Sequence, residues 1–391
     1  MKYDFSTEIS REGTSTIKYD KREVIFGDHN VLPMWVADMD IATPPFIIER
    51  LQNRLQHPIL GYTLQDDEYN KAIAWWLEKR FGWTIETSWL SYCPGIVAGL
   101  NHAVQAYTNP SDKVLIQSPV YHPFFYAVRQ NGRELLTNPL VLSNGKYQIN
   151  FDDFEAKLKQ GVKLFVLCSP HNPVGRVWTL SELTRMAELC LKYNVLIVSD
   201  EIHADLVLEP NKHLPLATLS PEIANNTITF GSASKTFNIA GLATAWIAIS
   251  NSNLLKRYNL QAQRNGTWHG NIFGFEATKA AYTPEGEDWL EQLLAYLREN
   301  IRLVRDFLAL QLPKVKLVEP EGTYLLWLDF REYNLSNDEL KEILVKKAGI
   351  GFNAGEMFGD EGSGFQRMNI ACPSQMVTFA LNQLKDAFGD L

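Results

Sequence analysis

The chain is poor in the residues that mark metal sites and disulfide-stabilised folds. Its 391 residues include only four cysteines, at Cys93, Cys168, Cys190 and Cys372. None forms a CxxC pair or a Cys/His spacing typical of zinc sites. No metal site and no disulfide framework is therefore indicated, and buried reduced thiols are the simpler interpretation.

Long apolar runs and a surplus of positive charge are also missing. No apolar run approaches the roughly 20 residues needed to span a bilayer. Residues 1–6 are polar where a signal peptide would be apolar. The net charge is -8, with acidic and basic residues interspersed, which argues against a nucleic-acid partner and against an anionic membrane surface. We therefore expect a soluble protein in the reducing cytoplasm.

Length and element order indicate two domains. A chain of 391 residues is too long for one hydrophobic core. Short β-branched runs alternate with amphipathic helical stretches, which predicts an α/β fold: a mostly parallel sheet sandwiched by helices, with a smaller α+β domain. We expect an N-terminal arm over residues 1–44 that joins the small domain, a large domain over 45–285, and a small C-terminal domain over 286–391.

Apolar patterns predict the individual elements. The large-domain strands are expected at Lys113–Gln117, Lys163–Cys168, Val195–Ser199, Thr227–Phe230 and Ala245–Ile249. A helix is expected at Leu180–Tyr193, with Ser181 at its start. The small domain is expected to contain helices at Glu287–Gln311 and Asn337–Ala348 and strands at Thr323–Asp329 and Gln366–Ile370.

Polar residues follow several of these strands directly. They are Ser118–Tyr121, Ser169–Pro173, Asp200–His203 and Gly231–Lys235. In an open α/β sheet, ligands bind outside the carboxyl ends of the strands. The four clusters are therefore expected to face one crevice, although four separate surface turns would leave the same pattern.

One lysine in these clusters has the surroundings of a covalent cofactor site. Lys235 lies between Ser234 and Thr236, just after an apolar strand. A lysine there can attack an aldehyde and bind it covalently, and desolvation keeps part of its amine neutral. Neighbouring hydroxyls can hold a phosphate. These properties suit pyridoxal 5'-phosphate, although an ordinary strand-to-helix turn also explains the stretch by itself.

The chemistry of this cofactor gives roles to three more residues. Its ring nitrogen must stay protonated if the ring is to absorb electrons, and Asp200 can hold that proton. Asn172 can donate to the ring oxygen or to a substrate carboxylate, and Tyr121 can cover the ring face. The alternatives are a helix N-cap for Asp200, a turn for Asn172 and core packing for Tyr121.

The cofactor phosphate needs hydrogen-bond donors, and two places in the sequence offer them. Backbone N–H groups at the start of a helix bind anions, and a helical run opens at Gly95, Ile96 and Val97. Ser232 and Ser234 would add hydroxyls. The glycine run is neither GxGxxG nor a Walker motif, so a dinucleotide or ATP site is a weak interpretation.

Six short motifs match those of one enzyme superfamily. They are Ala37–Asp40, Gly61–Thr63, Ser169–Gly175, Ser199–His203, Ser234–Ile239 and Arg367–Asn369. In these motifs the chain resembles the fold type I pyridoxal-phosphate enzymes, the aspartate-aminotransferase superfamily. The resemblance covers essentially the whole chain and is closest to the MalY/PatB subgroup of cystathionine β-lyases, or C–S lyases. Many aminotransferases carry a phosphate-binding arginine where this chain has Ala243, and the subgroup also lacks it.

The resemblance implies which residues are catalytic. Lys235 would bind the cofactor aldehyde and remove the Cα proton of the substrate. Asp200 and Tyr121 would complete the catalytic set.

The resemblance also implies substrate contacts and an assembly. Arg367 would clamp the substrate α-carboxylate with its guanidinium, beside Asn172 and Ala37. Tyr62 would reach the cofactor phosphate of a neighbouring subunit, which implies a homodimer. His203 is expected either near the ring oxygen or as a structural histidine.

The same residues serve two reactions. With sulfur on Cβ, a thiolate leaves and the products are pyruvate, ammonia and a thiol. Without a leaving group, the outcome is transamination. We expect α,β-elimination from cystathionine or another cysteine S-conjugate, because the subgroup motifs favour it. An aminotransferase of broad specificity is the alternative, and a protein of this fold that mainly binds or regulates is the third interpretation.

Overall fold

The computed structural model describes residues 2–391, with a seven-stranded sheet and a smaller four-stranded sheet. The α-helices in this range are α1 (Ile17–Asp20), α2 (Arg22–Phe26), α3 (Pro45–Leu55), α4 (Asp67–Phe81), α5 (Ile96–Tyr107), α6 (Pro123–Arg129), α7 (Phe151–Leu158), α8 (Leu180–Lys192), α9 (Pro221–Asn225), α10 (Ser252–Arg264), α11 (Ile272–Ala281), α12 (Pro284–Gln311), α13 (Asn337–Glu342) and α14 (Ser374–Phe388). The strands are β1 (Leu32–Pro33), β2 (Leu90–Cys93), β3 (Lys113–Ile116), β4 (Glu134–Thr137), β5 (Val141–Ser143), β6 (Lys146–Gln148), β7 (Val162–Cys168), β8 (Leu196–Asp200), β9 (Thr227–Gly231), β10 (Ala245–Ala248), β11 (Lys316–Val318), β12 (Leu325–Asp329), β13 (Ile350–Gly351), β14 (Asn353–Ala354) and β15 (Phe365–Asn369).

The large sheet confirms the predicted α/β fold. Its strand order is β2-β10-β9-β8-β7-β3-β4. Five neighbouring strands, from β9 to β4, run parallel, and β10 is antiparallel to both of its neighbours. All five predicted strands of this sheet are present. The patterns missed β2 and β4, which are four-residue edge strands of mixed polarity.

Both faces of this sheet are buried, which explains the near-continuous apolar runs of its strands. Along β7, Leu164, Val166 and Cys168 pack into the hydrophobic cluster on one face. Phe165 and Leu167 alternate with them and pack into the cluster on the other face. This period of two is the side-chain alternation of a strand, here with apolar residues on both sides.

The small sheet is antiparallel and has the order β11-β12-β15-β14. Helices α12 and α14 contact each other beside it. Helix α13 is shorter than predicted, because it passes into a π-helical turn at Ile343–Lys347. The predicted domain limits at 44/45 and 285/286 stay a prediction.

The start of α8 differs from the prediction at Ser181. The N-cap is Thr179, whose hydroxyl accepts from the Glu182 N–H while the Glu182 carboxylate accepts from the Thr179 N–H. This reciprocal capping box satisfies two helix-end donors at once. Ser181 therefore lies inside the first turn.

The N-terminal arm pairs with strand β13, because β1 lies parallel to it with Leu32 opposite Ile350. A buried charge cluster connects the beginning and the end of the arm. Arg11 and Lys18 both bind Asp40, at 2.8 and 2.5 Å. No helix within residues 2–391 is long and apolar enough to cross a membrane.

Asp40→Ala is expected to lower the stability of the fold by about 3 kcal/mol, because it removes the closest carboxylate from a buried ammonium. The Lys18 side chain is only 1% exposed, and its next carboxylate oxygen, on Asp38, is 3.6 Å away. Thermal unfolding measures the loss as a lower Tm. The control is Glu299→Ala, which breaks a surface pair with Arg302 and should cost less than about 1 kcal/mol. Equal Tm values for the two variants would contradict the assignment.

Candidate active site

A cavity of about 260 Å³ lies at the carboxyl ends of the large-sheet strands. Loops that follow β2, β3, β7, β8 and β9 line it, together with one residue of the N-terminal arm. This is the edge at which α/β sheets bind ligands. The predicted site residues that line it are Ala37, Gly95, Ile96, Val97, Tyr121, Asn172, Asp200, His203, Ser234 and Lys235.

Strand register places the aspartate in this cavity. Strands β7 and β8 pair in parallel with Cys168 opposite Asp200, so their carboxyl ends meet at the same edge. Asp200 is the last residue of β8 and is 4% exposed. Its carboxylate accepts a backbone hydrogen bond from Ile202 at 3.2 Å. Burial raises the pKa of Asp200 to about 7.

The lysine enters from a turn that only a glycine can begin. A Cβ on Gly231, at the end of β9, would lie 2.2 Å from the Trp246 ring. Lys235 follows in the turn, and its Nζ donates to the Ala37 carbonyl at 2.6 Å. Burial lowers the pKa of Lys235 to about 8, and the positive charge of Arg367 adds to this effect.

Arg367 lies on β15 behind Asn172 and is 3% exposed. Its guanidinium donates to Asn172 Oδ1 at 2.9 Å, to the Trp35 carbonyl at 2.9 Å and to Asn353 Oδ1 at 2.6 Å. All three acceptors are neutral, and no carboxylate within residues 2–391 pairs with it. Burial lowers its pKa to about 10. A buried guanidinium surrounded by neutral oxygens is a site for an incoming carboxylate.

The helix start predicted for the phosphate is present. Helix α5 begins at Ile96, after Gly95 with φ of 120°, a backbone conformation that favours glycine. The first N–H groups of a helix have no partner within the helix. The N–H groups of Ile96, Val97 and Ala98, which line the cavity, are therefore available as donors to an anion.

Three predicted residues do not line the cavity: Arg367, which lies behind Asn172, and two others, Ser232 and Tyr62. Ser232 donates its hydroxyl to the Thr244 carbonyl at 2.8 Å and accepts from the Ser234 N–H at 3.0 Å. It therefore holds the lysine turn together. Tyr62 is 94% exposed, with its ring against His269.

Several residues that the sequence analysis did not assign support this site. Tyr324 donates to the Ala37 carbonyl at 3.0 Å, the same oxygen that Lys235 contacts. Asn353 fixes Arg367, and Cys168 and Thr244 line the cavity. No local pattern marks Tyr324 and Asn353, because they reach the site from the small domain, whereas Cys168 ends the predicted strand that precedes Asn172.

The residues of the cavity fit pyridoxal 5'-phosphate. Asp200 is a buried carboxylate without an ion-pair partner in residues 2–391, so it is free to hold a protonated ring nitrogen. Nδ1 of His203 is buried without a hydrogen-bond partner and lies on the same cavity. Lys235 can bind the cofactor aldehyde, and the N–H groups at the start of α5 can bind its phosphate.

The chain belongs to the family of class I and class II aminotransferases, whose family model matches residues 30–384. The sequence of cystathionine beta-lyase PatB from Bacillus subtilis (strain 168) is 42% identical over 385 residues, covering 98% of this chain and 99% of PatB. Two solved structures are similar over nearly all of both chains. Cystalysin from Treponema denticola, which contains a pyridoxal 5'-phosphate cofactor, has a TM-score of 0.97 at 36% identity and covers 100% of each chain. The PLP-bound C-S lyase from Staphylococcus hominis has a TM-score of 0.92 at 35% identity, covering 99% of this chain and 98% of the other. The predicted resemblance is confirmed.

Lys235 is expected to capture an aldehyde at a lower pH than other lysines. The neutral amine is the nucleophile, and with a pKa of about 8 roughly a tenth of it is neutral at pH 7. Reductive labelling of the cofactor-free full chain with pyridoxal 5'-phosphate and cyanoborohydride, followed by peptide mass spectrometry, should show a midpoint near pH 8. Lys279 is the internal control. Although burial opposes it, the hydrogen bonds that Lys279 donates to Glu276 and Asp66 raise its pKa. Labelling of both lysines with the same pH dependence would contradict the assignment.

Proposed function

We propose that the protein is a pyridoxal 5'-phosphate-dependent carbon–sulfur β-lyase that cleaves cystathionine or another cysteine S-conjugate to pyruvate, ammonia and a thiol. One observation carries the proposal. Asp200 and Arg367 are buried and Lys235 is partly buried around one site, and none has an oppositely charged partner within 4 Å in residues 2–391. An amino acid and this cofactor together supply the missing charges. The cystathionine β-lyase and C-S lyase relatives support the same activity.

The proposed cofactor site uses the carboxyl edge of the sheet. Lys235 would bind the aldehyde, Asp200 the ring nitrogen and Tyr121 the ring face. The N–H groups at the start of α5 and the Ser234 hydroxyl would hold the phosphate. When bound, the cofactor supplies an electron sink for the carbanion that forms at the substrate Cα.

The protein's own groups would orient the substrate and move its proton. Arg367 would bind the α-carboxylate, with Asn172 bound to one end of its guanidinium. Lys235, once released, would take the Cα proton as a neutral amine, since its lowered pKa keeps it near the working pH. The Ala37 carbonyl, 2.6 Å from Nζ, would then accept a hydrogen bond from the ammonium that results.

The runner-up is an aminotransferase of broad specificity. It would use the same residues, and the family is named for aminotransferases. A protein that only binds or regulates is a weaker third proposal, because the site retains every group that the chemistry needs.

We also propose a homodimer in which Tyr62 reaches the neighbouring subunit's cofactor phosphate. Support comes from exposed apolar side chains near it, namely Ile59, Leu60, Leu64 and Trp268, which form a patch that a second copy could bury. Sedimentation at the monomer mass would contradict this. A cytoplasmic location fits four free, buried cysteines, and cell fractionation tests it.

The experiment that tests the function is a pyruvate assay. Purified protein loaded with pyridoxal 5'-phosphate is given L-cystathionine without any keto acid. Release of pyruvate is expected, and Lys235→Ala should abolish it and lose the bound cofactor on dialysis. A product that forms only when a keto acid is added would instead identify an aminotransferase. A protein that retains no cofactor would favour the third interpretation, a protein of this fold that mainly binds or regulates.

Asp200→Ala is expected to reduce turnover more than cofactor binding. The charge-assisted hydrogen bond to the ring nitrogen contributes about 1.5–3 kcal/mol, which corresponds to a loss of about 10- to 150-fold in kcat. Lys235 still holds the aldehyde, so the visible absorbance of the bound cofactor should persist. A variant with wild-type kcat would show that Asp200 does not have this role.

A further inference from the structure

The Ala37–Asp40 run contains a carboxylate that the proposed chemistry leaves unused. Its backbone is held on both sides. Asn369 donates to the Val36 and Asp38 carbonyls, each at 2.6 Å. Asn238 accepts from the Met39 N–H and donates to the Met39 carbonyl, each at 3.0 Å. The backbone on either side of Asp38 is therefore held by β15 of the small sheet and by the turn that follows β9 of the large sheet.

The Asp38 carboxylate has its own counter-charges. Arg11 binds it with two nitrogens, at 2.9 and 2.7 Å, and Lys18 Nζ lies at 3.6 Å. Burial would raise the pKa of Asp38, but the Arg11 hydrogen bonds and the charge of Lys18 outweigh it and lower that pKa. The carboxylate is therefore negative at neutral pH.

A second cavity, of about 560 Å³, connects this pair to the lysine. Arg11, Asp38 and Lys235 all line it. Lys235 and Ala37 also line the cofactor cavity, so the amine lies between the two. Around Lys235, Arg367 lowers its pKa, while Asp38 and then Asp200 raise it. The other titratable groups on the two cavities include Asp40, which binds both Arg11 and Lys18, and His203 and Tyr121 in the cofactor cavity. The Tyr324 hydroxyl contacts the Ala37 carbonyl.

We propose that Asp38 is a positioning residue for Lys235. Together with its counter-charge Arg11, it determines the electrostatic environment of the Lys235 amine on the side of the second cavity. This inference rests on the proposed function, because it concerns the lysine that binds the aldehyde. The physical role is specific. When Lys235 takes the Cα proton, a negative Asp38 stabilises the ammonium, and Arg11 limits that stabilisation so that the amine can return to its neutral form.

The test uses two variants that break the same ion pair from opposite ends. Asp38→Asn removes negative charge, so the midpoint of Lys235 labelling by pyridoxal 5'-phosphate and cyanoborohydride should fall by about one pH unit. Arg11→Gln removes positive charge, so the midpoint should rise by a similar amount. A merely structural pair would move both midpoints upward, since loosening the arm admits water to Lys235. Shifts of the same sign, or none, would overturn the proposal.

Arg11→Lys is the matched control and decides the question even if Asp38→Asn does not fold. A lysine keeps the charge but cannot form the two-nitrogen contact. Its midpoint should therefore stay near the wild-type value while that of Arg11→Gln rises. Equal shifts in the two Arg11 variants would mean that geometry, not charge, is what matters.

A second readout is the pH at which the visible absorbance of the cofactor-loaded enzyme changes. It should move in the same directions, because a nearby negative charge favours the protonated nitrogen whether or not the cofactor is bound. Failure of the proposed function looks different from failure of this inference. If Lys235 takes up no aldehyde in the wild type at any pH, the function is wrong. If Lys235 takes up the aldehyde but the midpoint is the same in the Asp38 and Arg11 variants as in the wild type, only this inference is wrong.

Discussion

Burial of charge without a charged partner is the constraint on which this site depends. Asp200 and Arg367 are removed from water and Lys235 is partly so, and all three meet only neutral oxygens and N–H groups at hydrogen-bond distance. Such burial is costly, and the shifted pKa values of all three groups record that cost. The site is therefore complementary to a ligand that carries the opposite charges. A cofactor with a protonated ring nitrogen and a substrate carboxylate meet that requirement.

The N-terminal arm joins the two sheets at this point. From the small sheet, Arg367 and Asn369 donate to the Trp35, Val36 and Asp38 carbonyls. From the large sheet, Lys235 donates to the Ala37 carbonyl. A short stretch of backbone thus receives side chains from both halves of the molecule. Any movement between the sheets would change the surroundings of the catalytic amine, so the arm links the packing of the fold to the proposed chemistry.

The fold was largely predictable, because its central strands are buried on both faces. An apolar β-branched run needs no tertiary information to indicate such a strand, and β7 and β8 lie within one residue of their predicted bounds. The edge strand β4 was missed because none of its four residues is buried and only Leu135 and Leu136 are apolar. The residues of the site were recognisable by type at the strand ends. Their roles differ: Ser232 holds the turn, whereas Ser234 lines the cavity.

The sequence alone determined the kind of chemistry. A lysine, an aspartate and an asparagine follow successive buried strands, and parallel strands bring their carboxyl ends to one edge. Only the tertiary structure decided the electrostatics. The contact between Lys235 and Ala37 spans 198 residues, and that between Arg367 and Asn172 spans 195. The pKa of each of these groups depends on its burial and on charges a few ångströms away in space, and neither can be inferred from the neighbouring residues in the sequence.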